Sequence, residues 1–234
     1  KSARVRDVFS SVARNYDLMN DLMSLGVHRA WKAAFVNRVV LRENMRVLDV
    51  AGGTGDIAFR IHEKAGARAA ITVCDINAEM LRVGTARAID RGILGPDAGI
   101  RWVCGNAEAI PAPNSYFDVY TIAFGLRNVT DIPAALADAR RVLRPGGQFL
   151  CLEFSQVVLP VLDKIYDRYS FSVLPKLGRY VARDEAAYRY LAESIRKFPN
   201  PGTLADMIAE AGVEQVKVQN LSGGIAAIHA ARRI

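Results

Sequence analysis

Cysteine, histidine and tryptophan are scarce in this 234-residue chain, with three, three and two copies. The cysteines (Cys74, Cys104 and Cys151) have no C-x-x-C spacing, and the histidines (His28, His62 and His229) are scattered. These counts argue against a disulfide framework and leave no metal-ligand motif. The cysteines are expected as reduced small apolar residues on buried strands, in an intracellular protein. Long apolar runs are missing as well. No stretch approaches the roughly 18 residues that a membrane-spanning helix needs. The start shows no charged-then-apolar leader, so no signal peptide is expected there, although the chain begins without Met. Internal repeats and low-complexity tracts are also absent, and the Gly/Pro-rich stretch Gly92–Gly99 reads as a loop. The length suits one domain with additions and a large core.

Charge is present but unevenly spread. The formal net charge is +7. Residues 1–46 hold nine Lys/Arg against four Asp/Glu, and residues 156–200 hold eight against five. The remainder holds fourteen against fifteen. The positive charge therefore sits on two segments that flank the middle of the chain. Basic, apolar-rich additions attract anionic surfaces such as lipid head groups. A nucleic-acid partner would call for aromatic interleaving or a known module, and neither is visible. A merely solvated basic face is the plain alternative.

Val47–Asp56 is the densest signal. The β-forming run Val47-Leu48-Asp49-Val50 leads into Gly52-Gly53-Thr54-Gly55, and a helix-compatible stretch follows. Strand, glycine turn and helix open a nucleotide-binding unit, because glycine permits the sharp turn and close approach of a ligand. Asp49 sits within the strand, placed to orient the glycine loop. A second acidic landmark, Asp75, ends the run Ala70–Cys74 and lies twenty positions after Gly55. That spacing suits an acceptor for ribose hydroxyls. A third strand-end site, Asn106-Ala107, suits an adenine edge. Gly53–Ala58 also fits the dinucleotide pattern G-x-G-x-x-G/A, so a nicotinamide cofactor remains a rival at this point. Further strands are expected at 117–122 and 148–154, with a helix at 131–143 between them. The turn Arg144-Pro145-Gly146-Gly147 separates that helix from the later strand. A helix at 201–211 and two strands at 213–219 and 224–230 follow, the strands joined at Gly223-Gly224. The expected fold is α/β: a Rossmann-like, seven-stranded, mostly parallel sheet with one antiparallel strand and helices on both faces.

Taken as a series, these elements resemble a class I S-adenosylmethionine-dependent methyltransferase. More narrowly, it resembles the ubiquinone/menaquinone biosynthesis C-methyltransferase family. The match runs through Val8-Phe9, Asn15–Asp21, Leu25–Lys32, Asp49–Asp56, Phe124–Thr130, Leu152–Ser155 and Tyr188–Ile195. Phe124–Val129 is far more specific than the glycine turn. The resemblance covers residues 5–230 and implies one methyltransferase domain. Residues 1–44 would form a helical lid, 45–155 the donor-binding core, 156–200 a helical substrate-lid insertion, and 201–234 the last helix and hairpin.

The resemblance also assigns roles. S-adenosylmethionine is the implied donor, with no metal, held by Asp49, Gly53, Thr54, Gly55, Asp75, Ile76, Asn106, Ala107 and Ala123. Ala123 departs from the family, which often has a small hydroxyl residue there, so only a backbone contact is expected from it. The acceptor is a polyprenyl quinol, contacted by Tyr16, Asn20, Asp21, His28, Phe124 and Arg127. Carbon methylation needs an electron-rich ring, hence a base and a group that stabilises a phenolate. Arg127 is assigned the electrostatic part, since guanidinium hardly ever deprotonates. Asn128 would orient the ring or a water. The base is left open among Asp56, Tyr16, Asp21 and His28. The implied setting is cytoplasmic and peripheral at the inner face of a membrane (the matrix side in a mitochondrion), with a homodimer or a quinone-biosynthesis complex as partners. Other readings remain: methylation of a sterol or lipid, an NAD-dependent oxidoreductase, and a nucleotide-binding lipid carrier or scaffold.

Overall fold

The computed structural model describes residues 26–66, 69–93, 99–155, 190 and 193–234. Seven strands form one sheet: β1 (Met45–Val50), β2 (Ala69–Asp75), β3 (Ile100–Cys104), β4 (Phe117–Ala123), β5 (Leu143–Phe154), β6 (Glu214–Leu221) and β7 (Ala226–Arg232). Their order is β3-β2-β1-β4-β5-β7-β6. β7 runs antiparallel to both neighbours, and the other pairings are parallel. This is the expected sheet, including its single reversed strand. The order reverses between β1 and β4, and a crevice opens there at the carboxyl ends of the strands.

The described helices are α1 (His28–Asn37), α2 (Asp56–Ala65), α3 (Ala78–Asp90), α4 (Ile132–Val142) and α5 (Pro201–Glu210). Their starts follow from local chemistry. Asn77, Asp131 and Asn200 each accept backbone N–H bonds from the first turn of α3, α4 and α5. α2 instead begins at Gly55, whose left-handed φ of 86° completes the glycine turn. α1, α2 and α3 cover one sheet face, with a core that includes Trp31, Phe35, Phe59 and Ile71. α4 and α5 cover the other, around Tyr120, Leu136, Phe149 and Ile208. β4 lies between them and is buried along nearly its whole length, as a central parallel strand must be.

Two expectations need correction. Cys104 is exposed, whereas Cys74 and Cys151 are buried. β3 is the sheet edge, so its last residue has no strand beyond it. β5 also starts earlier than expected. Leu143 already pairs with Phe117, the chain bulges through Arg144–Gly147, and pairing resumes at Gln148 opposite Val119. The bulge is held by backbone exchange with Arg233: Gly146 N–H donates to its carbonyl at 2.6 Å, and its N–H donates to the Gly147 carbonyl at 3.0 Å. The lid segments expected at 1–25 and 156–189 lie outside the described residues.

Candidate active site

The strand ends build a cavity. Its walls come from the β1 turn (Asp49–Thr54), the start of α2 (Asp56, Ile57), the β2 end (Asp75–Asn77) and Met80. Gly105–Glu108 after β3, Ala123–Gly125 and Asn128–Thr130 after β4, and Lys32 from α1 complete it. The space between these walls, open solvent included, is about 1160 Å³.

Asp75 ties two walls together. Its Oδ2 accepts the Gly53 N–H at 2.9 Å and its Oδ1 accepts the Asn77 N–H at 2.8 Å. The carboxylate still has acceptor capacity beyond these backbone bonds. Burial pushes the Asp75 carboxyl above its ordinary value, with those N–H bonds opposing. Asp49 is fully buried at the end of β1. Its Oδ1 accepts the Thr121 hydroxyl at 2.8 Å, and its Oδ2 has no hydrogen-bond partner among the described residues. Burial drives this carboxyl up to about 7; the Thr121 bond lowers it, and repulsion from Asp56 and Asp75 raises it. A Cβ on Gly52 would stand 2.8 Å from that free oxygen, so only glycine leaves room there.

The β4 end is shaped by two close approaches. Phe124 takes a φ of 55° and Ala51 a φ of 50°, both in the left-handed region disfavoured for side-chain-bearing residues. Such strain gathers at sites where surrounding packing holds it. Here Phe124 packs on Trp31 and Phe154, with ring centroids 6.5 and 4.8 Å away. Between the two turns, a Cβ on Gly125 would lie 2.4 Å from the Ala51 Cβ. Glu108 links the β3 and β4 loops, its Oε1 accepting the Thr130 and Asp131 N–H groups at 2.6 and 3.2 Å.

Most of the expected donor-side residues converge on this cavity: Asp49, Gly53, Thr54, Asp75, Ile76, Asn106, Ala107 and Ala123 line it. Gly55 does not, and instead supports the turn from behind, against Trp102 and Phe59. Phe124 and Asn128 line the cavity too. The Asn128 Oδ1 accepts the Tyr190 hydroxyl at 3.2 Å. Tyr16, Asn20 and Asp21 lie outside the described residues. His28 is buried at the start of α1 and does not line the cavity.

Arg127 differs most from expectation. It is not part of the cavity wall among the described residues. Its guanidinium turns into the protein, where Nη1 donates to Glu153 Oε1 at 2.6 Å and to the Phe124 carbonyl at 2.5 Å. Both partners of this ion pair are buried. Arg127 therefore clamps the β4 turn onto β5, and its charge is already matched by Glu153. Asp56 is also more committed than a free base would be. It accepts from Lys32 Nζ at 2.7 Å and from Arg60 Nε at 2.9 Å. Burial alone would raise its carboxyl, but Lys32 and Arg60 outweigh that and hold it below its ordinary value. Lys32 and Glu153 were not singled out as site residues from the sequence. Lys32 lies next to Trp31 on α1, and Glu153 stands among apolar neighbours in Phe149–Phe154, within the matching run Leu152–Ser155.

The residues present fit a donor with a cationic amino-acid end and a ribose. Among the described residues Asp49 has a buried unpartnered oxygen, Asp75 has spare acceptor capacity, and the glycine turn leaves the backbone bare. Among the described residues, no cluster of three or more His, Cys, Asp or Glu could hold a metal. This sheet with this strand-end cradle defines a class I S-adenosylmethionine-dependent methyltransferase. Solved structures agree in fold: a SAM-dependent methyltransferase from Aquifex aeolicus superposes with a TM-score of 0.61 at 16% identity, over 87% of this chain and 89% of that one. Haemonchus contortus phosphoethanolamine N-methyltransferase 2, solved with S-adenosyl-L-methionine, gives 0.63 at 15% identity, over 87% and 52%.

Residues 1–233 match the model of the ubiE/COQ5 methyltransferase family, and the chain belongs to that family. The ubiquinone/menaquinone biosynthesis C-methyltransferase UbiE of Methylobacterium nodulans is 58% identical over 237 residues, which cover 100% of this chain and 92% of that protein. The protein of the same name from Brucella abortus is 53% identical over 231 residues, covering 98% and 85%.

Proposed function

We propose that this methyltransferase carries out C-methylation of a polyprenyl quinol: a 2-polyprenyl-6-methoxy-1,4-benzoquinol in ubiquinone biosynthesis and a demethylmenaquinol in menaquinone biosynthesis. The observation that carries this reading is the 58% identity to a relative of that name along the whole chain. The donor supplies an electrophilic methyl: a ring-carbon-to-methyl bond forms as the sulfur–methyl bond breaks, and the ring carbon then loses its hydrogen as a proton.

The chain's own part is placement, charge and exclusion of water. Gly53 and Thr54 face the methionine part of the donor, with Gly55 behind the turn and Asp49 beneath it. Asp75 accepts from the ribose hydroxyls. Ile76 and Asn106-Ala107 flank the adenine, where the exposed Ile76 side chain gives an apolar contact. The Ala123 backbone closes that side. Phe124 and Asn128 face the acceptor ring, joined from the lid segments by Tyr16, Asn20 and Asp21. Arg127 positions this turn from behind through Glu153 rather than touching the ring.

The basic segments 1–46 and 156–200 serve as lid and as the contact with an anionic membrane surface, where a prenylated quinol resides. Among the described residues no helix is long and apolar enough to cross a membrane. A homodimer or a complex of quinone-biosynthesis proteins is the expected assembly, on the cytoplasmic face. The test is transfer of labelled methyl from donor to a panel of quinol, sterol and lipid acceptors. Labelling of the quinol ring carbon supports the reading, and labelling confined to a sterol or lipid refutes it. Asp75→Ala should weaken donor binding by calorimetry, and unchanged affinity would remove Asp75 from the ribose site.

A further inference from the structure

A methyl acceptor that reacts through carbon works best with a ring hydroxyl ionised. A negative oxygen in a water-poor cleft needs a nearby positive charge. Arg127 is turned away and bonded to Glu153. The charged side chains on the cavity wall, among the described residues, are Asp49, Asp56, Asp75, Glu108 and Lys32. Four are carboxylates, and a cationic donor suits those. Lys32 stands apart in sign.

Its location suits the acceptor end. Lys32 is only 4% exposed although it lines the cavity. The preceding residue, Trp31, packs on Phe124, so this part of α1 sits against the β4 turn. Lys32 Nζ reaches across to Asp56, at the start of α2 and next to the glycine turn. The ammonium is therefore held at the start of α2, on the wall of the same cavity that Phe124 and Asn128 line. Among the described residues one of its three N–H groups is used, by Asp56, which leaves two for another acceptor. Arg60 also bonds Asp56, so that carboxylate is shared between two cations. The local sum of Lys32, Arg60 and Asp56 leaves one positive charge, with the lysine end on the cavity.

We infer that Lys32 supplies the positive charge that faces the acceptor's ring oxygen and keeps it ionised. This rests on the quinol reading above. No bond to the lysine forms: the hydroxyl proton leaves to water, and the ring oxygen takes a hydrogen bond from Nζ. Asp56 and Arg60 face Lys32 from α2, and the Asp49 and Asp75 carboxylates lie farther along the same cavity wall. His28 precedes Lys32 by four residues on α1.

The test uses 2-methoxy-4-nitrophenol, a short-chain ring analogue whose ionised form absorbs visible light, bound to the full-length protein saturated with S-adenosylhomocysteine. Its ionisation is titrated by absorbance, alongside kcat against pH with a short-chain quinol. Wild type should ionise the bound phenol roughly 1–3 pH units below its value in buffer. Lys32→Gln should abolish most of that shift and lower kcat, with donor affinity unchanged. Lys32→Arg should keep the shift, and it remains decisive where Lys32→Gln does not fold. A folded Lys32→Gln with the wild-type shift, or a Lys32→Arg without it, overturns the inference. So does a Lys32→Gln that loses donor affinity while the phenol still ionises early, which would make Lys32 a strut for the glycine turn. Failure of wild type to bind the phenol, together with no methylation of any quinol, would bring down the quinol reading itself.

Discussion

Asp49 shows how one buried residue sets a pH response. Its carboxyl rises from 3.8 to about 7 in the folded protein, chiefly through burial. The native state thus holds that proton more tightly than the unfolded chain does. The resulting stability is fully present below the ordinary carboxylate range and is lost as pH rises through about 7. Without donor, the melting temperature should fall between pH 5 and pH 8, and Asp49→Asn should flatten that fall. Donor affinity should change in the opposite sense, tightening over the same window as Asp49 ionises against a cationic ligand. Calorimetry at both pH values checks this, and equal pH dependence in both proteins would detach it from Asp49. Arg127 makes a second residue-scale case. Arg127→Ala would strand the Glu153 carboxylate in the core, at a cost of about 3–5 kcal/mol. A large drop in the denaturation midpoint is therefore expected beside any loss of turnover. Replacing both partners, Arg127→Met with Glu153→Leu, should recover much of that stability. Arg127 is prominent in a specific motif, but the motif carries no sign of its orientation. Its partner lies 26 residues further on, on the neighbouring strand. Lys32 was obscured in the same way, because Asp56 is 24 residues distant.

The elements themselves were far more legible. Each core strand is a short β-forming run bounded by glycine or polar residues, and periodicity alone places it within a residue or two. β5 was the exception: its pairing resumes after a bulge, and a proline-glycine turn reads as an end, not as an interruption. What periodicity does not contain is the contact between turns. The glycine turn after β1 was legible by composition, and the left-handed φ of Phe124 was not, since phenylalanine carries no turn signal. Gly125 marks where those turns meet. Gly125→Ala would force its Cβ to within 2.4 Å of Ala51, and the two turns must separate. Donor affinity should drop by calorimetry while the far-ultraviolet circular dichroism stays that of wild type. Unchanged affinity would mean that the turns yield without disturbing the cradle.

On the scale of the whole molecule, sheet order decides where chemistry happens. The chain runs outward from β1 to β3, returns to β4 beside β1, and so leaves its first and fourth strand ends facing one crevice. Charge is distributed on the same plan, with the surplus of Lys and Arg in segments that precede and follow the core. If those segments meet an anionic bilayer, the protein should sediment with vesicles containing anionic lipid. It should sediment less at high salt, where exposed charges are screened, and less again when residues 1–12 are deleted. Negligible pelleting in every condition would assign the charge to solvent or to a protein partner.

The chain's two tryptophans stand behind two different walls of that crevice. Trp31 leans on Phe124, and its indole N–H is held by Ser222 Oγ at 2.9 Å. Trp102 lies under the glycine turn, filling the space beside Gly55 and Gly84. One ring backs the Phe124 turn and the other backs the glycine turn. Ultraviolet emission at the red edge of excitation, where tyrosine is silent, thus originates wholly from the two flanks of the reaction chamber. The molecule carries its own optical gauge, and replacing one indole at a time with phenylalanine would let each flank be watched alone as its ligand arrives.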